Sequence, residues 1–114
     1  MKKLRIEGNK IDDLFQFLSE EGSSDEGVCK ANIVKEIDDR KIGFFVFEGL
    51  YMRVQHTVSG SVFIYQTNSD SCEIVIVGSG GASALGITWG AQKDIEKKIA
   101  DIILKHVEET GMKA

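Results

Sequence analysis

Two groups of residues in this chain have the types and spacing for chemistry. The first is the glycine run in IVIVGSGGASALGITWGAQKD, residues 74–94, where Gly78, Gly80 and Gly81 follow an apolar strand and precede a helix. Exposed backbone amides ahead of a helix can hold a phosphate. A dinucleotide fingerprint, however, needs G-x-G-x-x-G at the helix start inside a βαβ unit. Here Ser83 occupies the third glycine position and the helix begins about eight residues too late. A Walker A loop needs GxxxxGK[ST]. Gly81 and Gly86 have that spacing and Thr88 supplies the hydroxyl, but Ile87 replaces the lysine that puts positive charge on the β- and γ-phosphates. The glycines therefore read first as a tight turn or bulge. On that reading 84–89 forms a short sixth strand, with Trp89 packed at the sheet edge. A nucleotide or phosphate site at Gly78, Gly80, Gly81 and Trp89 is the lesser reading.

The second group is Glu48, Tyr51 and His56, a carboxylate, a phenol and an imidazole close along the chain. Glu48 interrupts the apolar side of its strand, where burial would raise its pKa and suit it to acid–base work. A bulge at Gly49 would instead turn it outward, and His56 beside a turn needs no role. His106 falls on the apolar stripe of the last helix, a usual place for a structural histidine. No serine stands in G-x-S-x-G. Cys29 and Cys72 are far apart, each opening an apolar strand, and read as reduced, buried thiols rather than a disulfide or part of a zinc site. With no convergent set of catalytic groups, the chain is expected to carry no catalytic residue, metal or cofactor.

The 114 residues fit one domain, 1–114, with a single core. A formal charge of −4, with basic pairs only at Lys2-Lys3, Arg40-Lys41 and Lys97-Lys98, argues against a nucleic-acid partner. No apolar run approaches the ~20 residues of a membrane-spanning helix. The start MKKLRIE has no apolar stretch behind its lysines, so no signal peptide and a cytoplasmic location are expected.

The elements that must position these residues follow from periodicity. Lys3–Glu7 alternates as a short strand, and Asn9 is a suitable N-cap for a helix whose Ile11, Leu14, Phe15 and Leu18 recur at i, i+3, i+4, i+7. From Val28 to Val77 the period is two. The turns DDRK, Gly60 and NSDS divide that run into strands, including Ile42–Gln55, Ser61–Thr67 and Cys72–Val77. Ile95, Ile99, Ile102, Ile103 and His106 form one stripe of a helix over 91–109. The expected fold is α+β: a single antiparallel sheet in the order β-α-β-β-β-β-(β)-α, with both helices on one face. That order resembles the TATA-binding-like and helix-grip folds in topology. The strand, SGG and aromatic-glycine pair of the second half is similar to a family of short bacterial proteins of unknown function. The resemblance implies the same fold, a bacterial source and no catalytic residues to carry over.

The informative anomaly is a sheet apolar on both sides. Even positions bring Ile42, Phe44, Val46, Val62, Ile64, Ile74 and Ile76; odd positions bring Phe45, Phe47, Tyr51, Phe63, Tyr65, Val75 and Val77. Two helices cover one face, so the aromatic, odd-numbered face must meet something else. Five aromatic side chains of ~150–250 Å² each, half exposed, leave about 400–600 Å² of apolar surface. That is at or above the largest patch expected on a monomer. The leading expectation is a non-catalytic interaction module that homodimerises through this face. The alternative is a small apolar ligand held between sheet and helix in helix-grip fashion.

Overall fold

A computed structural model of the protein describes residues 1–21, 28–48, 58–80 and 88–114. Its elements are β1 (Lys2–Glu7), α1 (Ile11–Glu21), β2 (Val28–Ile37), β3 (Arg40–Glu48), β4 (Val58–Asn68), β5 (Ser71–Gly80) and α2 (Thr88–Glu109). The five strands form one antiparallel sheet in the order β1-β5-β4-β3-β2. Strands β2 to β5 run as a meander, and β1 closes onto the far side of β5. The α+β architecture is the one the residue periodicity calls for.

Boundaries shift where local signals compete with pairing. The helix expected to be capped by Asn9 starts one residue later, and the Leu14 amide donates to the Lys10 carbonyl at 3.1 Å. Asp12 and Asp13 still occupy its first turn, where the helix dipole favours negative charge. Strand β5 runs on to Gly80 instead of stopping at Val77, because β4 continues alongside it and pairs Gly60 with Gly78 and Val58 with Gly80. Gly78 and Gly80 are therefore strand residues and not part of a loop. Helix α2 begins at Thr88, so Thr88 and Trp89 are helical rather than the end of a sixth strand. Residues 84–87, Gly49, Tyr51 and Gly81 lie outside the described residues.

Turn chemistry fixes the first hairpin. Asp38 and Asp39 join β2 to β3 with φ of 50° and 66°. Two consecutive left-handed residues make a type I′ turn, whose twist matches that of the flanking strands. Asp tolerates this conformation better than most side chains, though still at a cost.

Both helices lie on the same face of the sheet, α1 over β2 and β3, and α2 over β5, β4 and β1. The buried stripe of α1 is Ile11, Leu14, Phe15 and Leu18; that of α2 is Ile95, Ile99, Ala100, Ile103 and Val107. The close approach of α2 requires a strand residue without a side chain. A Cβ on Gly60 would lie 2.2 Å from Ile99 Cδ1. The helices also meet each other. His106 Nε2 lies 2.8 Å from Asp13 Oδ2, and its ring stacks on Phe17 with centroids 3.9 Å apart. His106 is thus an interhelical tie. Past α2, the chain pairs with β1: the Glu7 amide donates to the Lys113 carbonyl at 2.7 Å, and the Lys113 amide returns the bond at 2.8 Å.

The Asp-Asp turn makes a direct prediction. Left-handed backbone costs an L-residue about 1–2 kcal/mol, against about 0.5–1 kcal/mol for the extra unfolded-state entropy of glycine. Asp39→Gly is therefore expected to stabilise the fold by up to about 1 kcal/mol in urea unfolding. A loss of stability would contradict the type I′ assignment.

Candidate functional site

Opposite residues in an antiparallel pair share a face of the sheet. Between β4 and β5 the register pairs like parity, Val62 with Ile76 and Phe63 with Val75. Between β3 and β4 it pairs opposite parity, Phe45 with Val62 and Phe44 with Phe63. Strand β3 is therefore out of phase with β4 and β5. Its odd residues face the helices and its even residues face away.

This overturns the placement of two aromatic residues. Phe45 and Phe47, expected on the uncovered side, are 0% and 4% exposed and belong to the helix-side core with Val62, Ile64, Ile74 and Ile76. The parity of residue numbers carries along one strand but not through a connection, where the register is reset. Phe63, Tyr65, Val75 and Val77 do lie on the open face, and Phe44 takes the place assigned to Phe45. Tyr51 lies outside the described residues.

The open face is built in rows. Ile33, Phe44, Phe63 and Val75 stand side by side across β2, β3, β4 and β5. The next row is Lys35, Ile42, Tyr65, Glu73 and Arg5. Val46, Ser61 and Val77 form a third. Exposure is 51% at Ile33, 55% at Ile37, 39% at Phe44, 39% at Phe63 and 42% at Val77. With aromatic side chains at ~150–250 Å² and aliphatic ones somewhat smaller, these five leave roughly 400 Å² of apolar surface on one face. A single protein's largest patch spans about 300–600 Å² and is often functional.

One edge of this face is polar. The Tyr65 hydroxyl donates to Glu73 Oε2. That bond, with partial burial and the carboxylate's charge, holds the phenol proton more tightly than usual. Lys3 and Arg5 of β1 are exposed beside it, and Arg5 Nε lies 3.4 Å from Glu7 Oε1. The apolar centre of this face thus has a charged margin.

Gly78, in the described part of the glycine region, is engaged by helix α2. Strand β1 reaches only to Lys2, opposite Ile76, so among the described residues the edge of β5 beyond that point has no strand partner on that side. Glu96 of α2 supplies the acceptor: the Gly78 amide donates to its Oε2 at 2.8 Å, and the α-ammonium of Met1 lies 3.0 Å from its Oε1. Burial opposes ionisation of Glu96, but the Gly78 amide, the Met1 ammonium and Lys2 outweigh it and hold the carboxyl below its usual range. A carboxylate thus occupies the Gly78 amide. Trp89 lies in the first turn of α2.

The remaining candidates are dispersed. Cys72 is a free, buried thiol, pushed up to about 12 by burial and then by the Glu73 charge, so it stays protonated and unreactive. Glu48 ends β3, while His56, like Tyr51, lies outside the described residues. Among the described residues, no three His, Cys, Asp or Glu side chains group as metal ligands, and no helix is long and apolar enough to cross a membrane. No family model, curated protein or solved structure matches the chain at a significant level. Fold and surface together define an α+β arrangement in which, among the described residues, one face of the sheet is covered by helices and the other is apolar and carries none.

The Glu96 cap has a pH signature. Its folded pKa is depressed, so its contribution is complete above the unfolded value of about 4.3 and is lost as pH falls through the folded value. Glu96→Gln is expected to be about 1–2 kcal/mol less stable at pH 7, with the gap to the native protein closing as the pH falls below the unfolded value. A gap of constant size in acid titrations of the unfolding midpoint would contradict this.

Proposed function

We propose that the protein is a non-catalytic interaction module, and that its partner is a second copy packed back to back through the open sheet face. The supporting observation is the continuous row Ile33, Phe44, Phe63 and Val75, which crosses four strands on the side that neither helix covers. A twofold contact buries the same patch on both copies. Covering about 800 Å² of apolar surface in total at ~25 cal/mol/Å² gives a gross gain near 20 kcal/mol. Association costs about 4–15 kcal/mol, so the balance favours the complex. Two aligned sheets pack about 10 Å apart, a spacing that interdigitates side chains of the size of Phe44 and Phe63. Lys3, Arg5 and Lys35 share the face with Glu7 and Glu73, so both signs of charge are available at the rim. A cytoplasmic location belongs to the same proposal, and the buried, protonated Cys72 thiol is compatible with it.

Phe63→Lys places a charge at the middle of the row without touching the helix-side core. Light scattering at micromolar concentration is expected to show the mass of the native assembly halved by this change, with circular dichroism unaltered. A native protein of single-chain mass, or a variant of unchanged mass, would overturn the reading.

A further inference from the structure

We propose that strand β2 is a second self-association site, at which two copies pair β2 against β2 antiparallel and extend the five-stranded sheet across a twofold axis.

The two edges of the sheet are unlike. Edge β1 is six residues long, carries Lys2, Lys3, Arg5 and Glu7, and has its end closed by the backbone bonds between Glu7 and Lys113. These are the devices that keep an edge from pairing with another chain. Edge β2 is ten residues long, and every residue from Asn32 to Ile37 is exposed. It contains no proline, and its bulge, between Cys29 and Ala31, leaves 31–37 regular. Apolar side chains stand on both of its faces: Ile33 and Ile37 on the open side, Val34 at 42% exposure on the helix side. The strand is also held in place for pairing. The Asn32 side-chain amide donates to the Ser19 carbonyl at 3.4 Å, tying β2 to α1.

The hydrogen-bonding phase follows from the turn. A two-residue I′ turn makes Ile37 and Arg40 a hydrogen-bonded pair, so alternate residues back from Ile37 bond to β3. Asn32, Val34 and Glu36 then direct their N–H and C=O groups outward, where no acceptor or donor meets them among the described residues.

The sequence of β2 suits its own reverse. A twofold axis perpendicular to the sheet keeps each side chain on its face and must pass through a residue position. Centred on Lys35 or Glu36, the pairing sets like charges against each other, which is unfavourable. Centred on Val34, it uses the whole regular stretch: Val34 meets Val34 of the second copy, Lys35 meets Ile33, Glu36 meets Asn32 and Ile37 meets Ala31. No like charges are opposed. The outward amides and carbonyls of 32, 34 and 36 are then satisfied by about six backbone hydrogen bonds. In this arrangement both open faces lie on one side of a ten-stranded sheet, and both helix layers on the other. Taken with the back-to-back packing proposed above, on which this last step alone rests, two such sheets stack into an assembly of four chains with three perpendicular twofold axes.

The test is light scattering on the full chain and four variants, with circular dichroism as the check on folding. Val34→Pro removes an outward amide, and Val34→Glu sets a carboxylate against its symmetry mate; neither touches the β3 ladder. The native protein is expected at four times the chain mass, each Val34 variant at twice, and Val34→Glu combined with Phe63→Lys at one. Folded Val34 variants with the native mass, or a monomer produced by Phe63→Lys alone, would overturn edge pairing while leaving the face-to-face reading intact. Val34 variants that become monomeric while Phe63→Lys changes nothing would support the edge and remove the face.

Discussion

A sheet has two faces, and the described chain supplies helices for one. Helices α1 and α2 lie side by side on the same layer, joined by the stacked Phe17–His106 pair and the His106–Asp13 contact. They hide Ile6, Phe45, Phe47, Val62, Ile64, Ile74 and Ile76 almost completely. The opposite layer keeps Phe44 and Phe63 two-fifths in water. Removing such side chains from solvent is the dominant favourable term in both folding and association. On the proposed reading, a second copy supplies the cover for the open face that the described residues of one copy do not.

The phase of β3 decides which residues meet which fate. Its opposite-parity register with β4 places Phe45 and Phe47 under the helices and gives Ile42, Phe44 and Val46 to the open side. Space for the helices comes from the strands: α2 settles onto β4 where Gly60 has no side chain to obstruct Ile99. At the end of β5, the Gly78 amide is met by Glu96 of α2. These contacts agree with one another, which is what a single well-defined native arrangement requires.

Much of this was legible in residue patterns. The helical stripes Ile11-Leu14-Phe15-Leu18 and Ile95-Ile99-Ile103, the Asp38-Asp39 turn and the apolar character of both sheet faces are local properties, readable a few residues at a time. The face of Phe45 and Phe47 was not, because it depends on register across a connection and not on alternation within a strand. The exposure of Ile33 and Ile37 was equally hidden: it follows from β2 lying at the edge, which is a fact of strand order. The glycine run misled for a related reason. Gly78 and Gly80 look like a loop in isolation, but pairing with Gly60 and Val58 keeps them in the strand. The Glu96 cap joins residues far apart in sequence, and no short window contains it.

The central claim is that the open face of this sheet is covered by another copy of the same chain. Isotope-filtered NMR on a mixture of labelled and unlabelled protein reads that contact directly. The account predicts intermolecular contacts between the Phe44 and Phe63 rings of one chain and the Val75 and Val77 methyls of another. An assembly that gives intermolecular contacts only from the helix surfaces, or none at all, would contradict it.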